Sequence, residues 1–349
     1  MMRRRAVLAG MVAMMALGWA LGAVAQDVGK EVPTEKTAEQ IAMEEAEKAG
    51  KKANELYETG KIEEAIDLLW RTAGELPPGR SADELRNYAL MMRLQKFLED
   101  GKNQGTVEKA IAETTELRTT APKEWALQDA GSLYLLVGNY DRAKKVFLKI
   151  LKEYPALKKE ELAEFRKELE EQYGPLPDGI DVEQFHPRSM LRKQAKLNLD
   201  QLALIGKPAP AFELTTLDGQ KVSPSTYKGT ILLLDFWATW CDPCLEELPR
   251  LKKVYAEHSG RGFDILGLSS DKKKKTLADF IKDEKMTWKQ VFLGQDSLKL
   301  FEAYKTGGAI PSSYLIDRRG VVRAIQLRGA VLKLKLEALL KAEKAEKAE

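Results

Sequence analysis

The chain has 349 residues, 31% charged and 44% hydrophobic, which suits a soluble protein with room for two cores. Its net charge of +3 comes from Arg3, Arg4 and Arg5; without them, 53 basic residues face 53 acidic ones. That balance gives no net basic charge of the kind phosphate neutralisation demands, so no nucleic-acid partner is expected; the run Lys272–Lys275 is the candidate for a local basic face and reads more plainly as a solvated helix start. Only two cysteines occur, Cys241 and Cys244. A chain this long does not need a staple, and closing so short a loop removes little unfolded-state entropy. The pair therefore points to chemistry, not bracing.

Residues 1–25 read as an export signal. Arg3–Arg5 form the positive start, Ala6 to Ala20 is apolar, and Ala23-Val24-Ala25 is a small-x-small cleavage site. Cleavage after Ala25 would leave the remainder outside the cytoplasm, in a bacterial periplasm, where disulfide chemistry is permitted. The other reading is an uncleaved anchor, since the apolar run is nearly long enough to span a bilayer; only then is the membrane a partner. Residues 26–37 are a loose, polar lead-in.

From 38 to 202 the pattern is helical. Glu124 to Pro155 places Gly131 and Tyr134 on one helix, Gly138-Asn139 at a turn, and Ala143 and Phe147 on a second helix that stops before Pro155. Ala46 to Pro78 repeats the plan, and Leu85 to Pro122 is a degraded copy with about a dozen extra residues. These stretches resemble tetratricopeptide repeats, assigned to residues 38–160. The resemblance implies stacked hairpins with a concave, protein-binding surface. An unspecialised helical bundle is the plainer alternative. Residues 161–202 are a charged helical linker, interrupted at Gly174–Gly179 by a Pro/Gly cluster.

Residues 203–340 read differently. Asp218-Gly219 marks a hairpin between Phe212–Thr215 and Lys221-Val222. Ile231–Phe236, Gly262–Ser269, Ser312–Ile316 and Val321–Leu327 are strands; Cys241–His258 and Thr276–Asp283 are helices. The alternation implies an α/β sheet. Residues 341–349 repeat Lys-Ala-Glu and read as a solvated helix end or a frayed tail.

The informative segment is Asp235-Phe236-Trp237-Ala238-Thr239-Trp240-Cys241-Asp242-Pro243-Cys244. An apolar strand ends near Phe236, and a helix begins near Cys241 with Pro243 in its first turn. A sulfur at a helix mouth faces unsatisfied N–H groups and the positive end of the dipole, both of which favour thiolate. Cys241 is expected to titrate near ~7, below the free value of about 8.5, with Asp242 opposing the shift. Cys244 lies one turn deeper, within reach of Cys241. Cys241 would attack a partner disulfide, and Cys244 would close an internal Cys241–Cys244 bridge and release the partner.

Trp240-Cys241-Asp242-Pro243-Cys244 after an apolar strand is similar to the thioredoxin superfamily active site. With Ile205-Gly206-Lys207-Pro208-Ala209-Pro210-Ala211-Phe212, a hairpin and Phe236–Cys241, the segment resembles the TlpA/ResA-type branch over about residues 205–335. The resemblance implies an α/β thioredoxin fold, a central mixed sheet flanked by helices, after the all-α repeat-like region. It implies an exported thiol–disulfide oxidoreductase, usually a reductant, whose partners are client proteins with disulfides or thiols and an upstream thiol reductant. No cofactor is implied beyond the redox-active disulfide.

By position, Asp235 matches the buried carboxylate behind the second cysteine, a proton acceptor for Cys244 whose pKa burial would raise. Many TlpA-type chains lack an acid there. Glu247 matches a glutamate near the site in ResA-like proteins, and reads either as a tuner of the thiols or as an exposed helix glutamate. Ile310-Pro311 resembles the cis-proline turn that lies against the cysteines: the Ile310 backbone would pair with an extended client peptide, and Pro311 would keep metal from bridging the thiols. Ala309 stands where glycine is frequent. Trp237 reads as core, and Trp240 as a partly exposed wall beside Cys241 which, with Asp242 and Pro243, would meet the client.

Competing functions fit less well. A structural zinc needs about four ligands. His186 and His258, the only histidines, lack metal-like spacing; His186 reads as inert in a loop and His258 as a helix C-terminal charge complement. A thiol peroxidase of the related peroxiredoxins wants a proline and threonine before its cysteine, and here the preceding residues are Trp237-Ala238-Thr239-Trp240. A repeat-based binding scaffold with a secondary redox site is the alternative from another class.

Overall fold

A computed structural model describes residues 36–120, 122–294 and 297–346. The segment read as an export signal, most of the residues read as a lead-in and the last three residues of the tail lie outside the described residues. The chain divides after Glu44, and the larger unit, Glu45–Glu349, carries the elements that build the site.

Six helices follow one another: α1 (Ala38–Glu58), α2 (Ile62–Glu75), α3 (Arg80–Asp100), α4 (Gln104–Leu117), α5 (Lys123–Leu136) and α6 (Tyr140–Glu153); α2 packs on α3, and α3 with α4 and α5 with α6 form helical pairs. This is an all-α region of the kind that a helical repeat builds. The extra length of the middle copy sits largely in α3, which is two turns longer than α5. Small residues set the crossing of α5 and α6. A Cβ on Gly131 would meet the Phe147 ring at 2.4 Å, so the ring occupies the space the glycine leaves. Ala143, Phe147 and Ile150 form the buried stripe of α6, spaced as one helical face. Gly138 at φ +76 makes the turn between the pair, and the Asn139 side chain caps α6 by accepting from Arg142 N.

The segment after α6 carries α7 (Lys159–Tyr173), a short 3-10 turn (Val182–Phe185) and α8 (Pro187–Leu202). Helix α8 packs on α5 and α6. His186 is not inert: it caps α8, its Nδ1 accepting from Arg188 N at 3.0 Å, and its ring meets Phe165 edge-on. A residue read as loop is a helix start because Pro187 occupies the first helical position.

The remaining elements form an α/β layer. A two-strand ribbon, β1 (Leu214–Thr215) and β2 (Lys221–Val222), turns at Gly219 with φ +84. The main sheet contains β3 (Ile231–Trp237), β4 (Phe263–Ser269), β5 (Lys289–Phe292), β6 (Ser312–Ile316) and β7 (Val322–Ile325), in the order β5-β4-β3-β6-β7. Strands β3, β4 and β5 are parallel; β6 and β7 run antiparallel to their neighbours. Helices α9 (Asp242–His258), α10 (Lys274–Asp283), α11 (Ser297–Ala303) and α12 (Gly329–Glu346) complete it. This is a thioredoxin fold with a central mixed sheet. Every residue of β3 is buried, as expected of a central strand covered on both faces, and that makes Asp235 the exception to explain. Sequence reasoning missed β5 and α11, which are short and carry no clear period. The body of α12 was not read as a helix either, while its run to Glu346 makes the tail the helix end that was one of its two readings.

The helical pairs meet the sheet at its β7 edge. The Tyr140 hydroxyl donates to Ile325 O at 2.8 Å and accepts from Ile325 N at 3.1 Å, covering backbone groups that an edge strand leaves open. Burial raises this phenol's pKa far above its ordinary range. Helix α12 packs on α3, and its first residue fits there because it lacks a side chain: a Cβ on Gly329 would meet Leu98 O at 2.3 Å. Hydrophobic packing runs without a break from Leu90 in α3 to Leu336 in α12.

Tyr140→Phe leaves both Ile325 groups without their partner while keeping the ring. It should cost about 1–3 kcal/mol, seen as a lower denaturant midpoint with an unchanged slope. An unchanged midpoint would mean that the hydroxyl does not hold the edge.

Candidate active site

The end of β3 aims the chain at the site. Ala238-Thr239-Trp240 leave the sheet and α9 starts immediately, with Cys241 at its N-cap position (φ −92, ψ 95) and Pro243 in its first turn. Cys244 N and Leu245 N both donate to Cys241 O, at 2.9 and 3.0 Å. Cys241 and Cys244 are joined as a disulfide, with their Cα atoms 5.2 Å apart. Both are buried, while Trp240 beside them is 61% exposed, and Asp242 and Pro243 are exposed. Trp237 points inward: its Nε1 donates to Gln290 Oε1 at 3.0 Å.

Two residues that sequence reasoning passed over hold this turn. Asp271 is buried just beyond β4. Its carboxylate accepts from Thr239 N and from Thr239 Oγ1 (2.6 Å), and from Ser269 Oγ at 2.6 Å. It thereby pins the loop that carries Trp240 and Cys241. Gln290, on the unforeseen β5, fills the space over Gly267, where an added Cβ would meet Oε1 at 2.0 Å. Neither residue carries a local signal, because each acts through a partner more than twenty residues away.

Behind the disulfide is a cavity of about 10 Å³, room for a single water, lined by Asp235, Cys244, Glu247, Pro311, Ser313 and Arg328 among others. The Ile310–Pro311 bond is cis and opens β6. Asp235 on β3 faces Ser313 on β6 across the antiparallel pair. Burial pushes the Asp235 carboxyl up to about 6; the Arg328 charge opposes that rise and the Glu247 charge adds to it. Glu247 is buried, so its reading as an exposed helix residue is excluded. Its Oε1 accepts from Gly329 N at 2.7 Å and its Oε2 from Arg250 Nη1 at 3.5 Å. Burial raises its pKa, against the pull of Arg328, the Gly329 amide and Arg250.

Arg328 is the third residue that the sequence did not disclose. An arginine that follows Val321–Leu327, a stretch already carrying Arg323, gives no sign in sequence that it turns inward. Here its guanidinium turns inward: Nη2 donates to Pro311 O at 2.7 Å, and Nη1 to Leu327 O at 2.7 Å and Ser313 Oγ at 3.3 Å. The structure thus brings Cys241, Cys244, Asp235, Glu247 and Pro311 to one place. Trp240, Asp242 and Pro243 lie on the adjoining exposed rim, and Ile310 is half-buried beside the proline.

Fold and site together define a thioredoxin-type protein with a paired-cysteine centre. A profile of the AhpC/TSA family matches residues 205–325. The thiol-disulfide oxidoreductase ResA of Bacillus thuringiensis subsp. konkukian is 34% identical over 139 residues, covering 39% of this chain and 77% of that protein. ResA of Geobacillus kaustophilus is 33% identical over 133 residues, covering 38% and 74%. Among solved structures, the thioredoxin domain of a thiol-disulfide oxidoreductase from Bacteroides vulgatus is 34% identical with a TM-score of 0.37, covering 39% of this chain and 97% of that one. The chain belongs to the ResA-like thiol–disulfide oxidoreductases of the thioredoxin superfamily.

Burying Asp235 as an anion destabilises the fold. A carboxyl moved from the ordinary 3.8 to about 6 costs the folded chain roughly 3 kcal/mol at neutral pH. Because the folded value is the higher one, this cost is absent below about pH 4, where both states are protonated, and complete above about pH 6. Asp235→Asn should therefore raise the denaturant midpoint at about pH 7 and change it little at about pH 4. An equal effect at both pH values would show that burial does not raise the pKa of the Asp235 carboxyl.

Proposed function

We propose that this protein is an exported reductant of client disulfides, with Cys241 as nucleophile and Cys244 as resolving thiol. The observation that carries the proposal is the Cys241–Cys244 disulfide at the mouth of α9, backed by a buried carboxylate and faced by the cis Ile310–Pro311 turn.

The cycle begins from the dithiol. The Cys241 thiolate attacks one sulfur of the client disulfide; the client S–S bond breaks, its other sulfur leaves as a thiolate, and a Cys241–client bond forms. Cys244 gives its proton to Asp235 and attacks the Cys241 sulfur. The mixed bond breaks, the client's second sulfur leaves reduced, and the internal disulfide remains. An upstream dithiol donor then returns two electrons.

Oxidised and reduced states have different needs. The helix N-terminus favours the Cys241 anion during attack. Asp235 must be ionised to take a proton from Cys244, and a value of about 6 leaves it mostly ionised at neutral pH yet basic enough to serve. Glu247 tunes the same cavity. The exposed Trp240 indole, Asp242, Pro243 and the Ile310 backbone form the surface a client strand would cross.

Export rests on Arg3–Arg5, the apolar run and Ala23-Val24-Ala25, with the membrane a partner only if that segment is retained. Among the described residues no helix is long and apolar enough to cross a membrane. The helical pairs supply a second, protein-binding role. A groove of about 290 Å³ between α3, α4 and α5, lined by Asn87, Thr114, Arg118 and Asp129 among others, is the surface a partner protein would use.

Full-length protein should reduce insulin with a dithiol donor, and Cys241→Ser should lower the rate to background. Cys244→Ser should trap a client–Cys241 mixed disulfide visible on a non-reducing gel. Insulin reduction that survives loss of both cysteines would refute the oxidoreductase mechanism and favour the scaffold.

A further inference from the structure

We propose that Arg328 is a positioning residue for the resolving step: it holds the cis-proline turn through the Pro311 carbonyl and supplies the balancing charge for Asp235 and Glu247 beside Cys244. The inference rests on the proposed exchange mechanism and adds a residue that the mechanism otherwise lacks.

The placement is over-determined. Ser313 lies opposite Asp235 on the neighbouring strand, and its Oγ accepts both from Leu327 N at 2.8 Å and from Arg328 Nη1 at 3.3 Å. Strand β6 therefore fixes the Leu327–Arg328 backbone beside Asp235. The two carbonyl contacts, to Pro311 and Leu327, aim the guanidinium at the cavity that Asp235, Cys244 and Glu247 share. The next residue, Gly329, spends its N–H on Glu247. One dipeptide thus contacts the proline turn and one acid, and borders the other.

The charges around Cys244 can be counted by element. Strand β3 contributes Asp235. Helix α9 contributes Glu247 and Arg250. The start of α12 contributes Arg328, and β6 contributes only the neutral Ser313. Arg250 is about one-third exposed and reaches only the outer oxygen of Glu247, so solvent screens it. Arg328 is the cation turned into the cavity among these residues. Two buried carboxylates with no inward cation cannot both stay ionised, so its removal puts a proton on one of them.

That proton matters at one step. When Cys244 attacks the mixed disulfide, its S–H bond breaks, the proton goes to Asp235, the Cys241–Cys244 bond forms and the client sulfur leaves as thiolate. If Asp235 already holds a proton, it cannot accept another. Attack by Cys241 on the client does not use Asp235.

Reduced full-length protein mixed with the aromatic disulfide dithiobis-nitrobenzoate separates the two events by absorbance. The first equivalent of coloured thiolate reports attack by Cys241; the second reports closure by Cys244. Arg328→Met should slow the second phase about tenfold relative to the first at about pH 7, with that deficit fading by about pH 9 as Asp235 ionises again. Arg328→Lys keeps the charge and should hold the second phase within about threefold of the unsubstituted protein at every pH. Equal second phases in Arg328→Met and the unsubstituted protein at about pH 7 would overturn the inference. So would a slowing that is constant across pH, or a lysine variant no better than methionine. An unsubstituted protein that releases no second equivalent would overturn the exchange mechanism itself, and this inference with it.

Discussion

Behind the disulfide, two carboxylates and a guanidinium meet in a space with room for about one water. Ionised groups so placed are unfavourable unless each is answered by an opposite charge or a hydrogen bond. The surrounding structure supplies those answers one by one. Glu247 has the Gly329 amide and Arg250. Arg328 has the carbonyls of Pro311 and Leu327 and the Ser313 hydroxyl. Asp235 has the nearby positive charge of Arg328 to set against its burial. The strand pairing of β3 with β6 and the start of α12 are consequently tied to the same few atoms that face Cys244.

This arrangement makes the site a property of both ends of the α/β layer. Cys241 and Cys244 come from the first βα turn, and their environment comes from the last strands and the final helix. Asp271 does for the outer side of the turn what Arg328 does for the inner side, tying Thr239 to the end of β4. The exposed Trp240 and the buried cysteines are thereby held in one orientation, with the indole outside and Asp235, Glu247 and Arg328 inside.

The same final segment also seats the helical pairs. Gly329 donates to Glu247 and lies against Leu98 O of α3, while Tyr140 of α6 closes the β7 edge at Ile325. Gly101 and Gly138 approach α12 closely as well, where added side chains would press on Leu334 and on Val331 and Lys335. The redox site and the helical region therefore share a backbone stretch of a few residues.

How far the sequence carried the reading follows from the range of each interaction. The helix pairs were legible because glycine turns, a capping asparagine and a 3.6-residue apolar period are local. The sheet's long strands were legible as apolar runs, the cysteine pair stood out at a strand end, and Ile310-Pro311 was found only through its resemblance to the thioredoxin-superfamily cis-proline turn. Strand β5 and helix α11 were not, being too short to show a period. Arg328, Asp271 and Gln290 were silent for a different reason: each works through partners distant along the chain, and an arginine or aspartate bound for the interior looks in sequence like one bound for water. The amino-acid sequence by itself determined that a cysteine pair would stand at a helix mouth in an α/β layer behind a helical region. Only the tertiary structure decided which charges stand behind that pair, because burial and opposite-charge pairing arise when strands far apart in sequence come together.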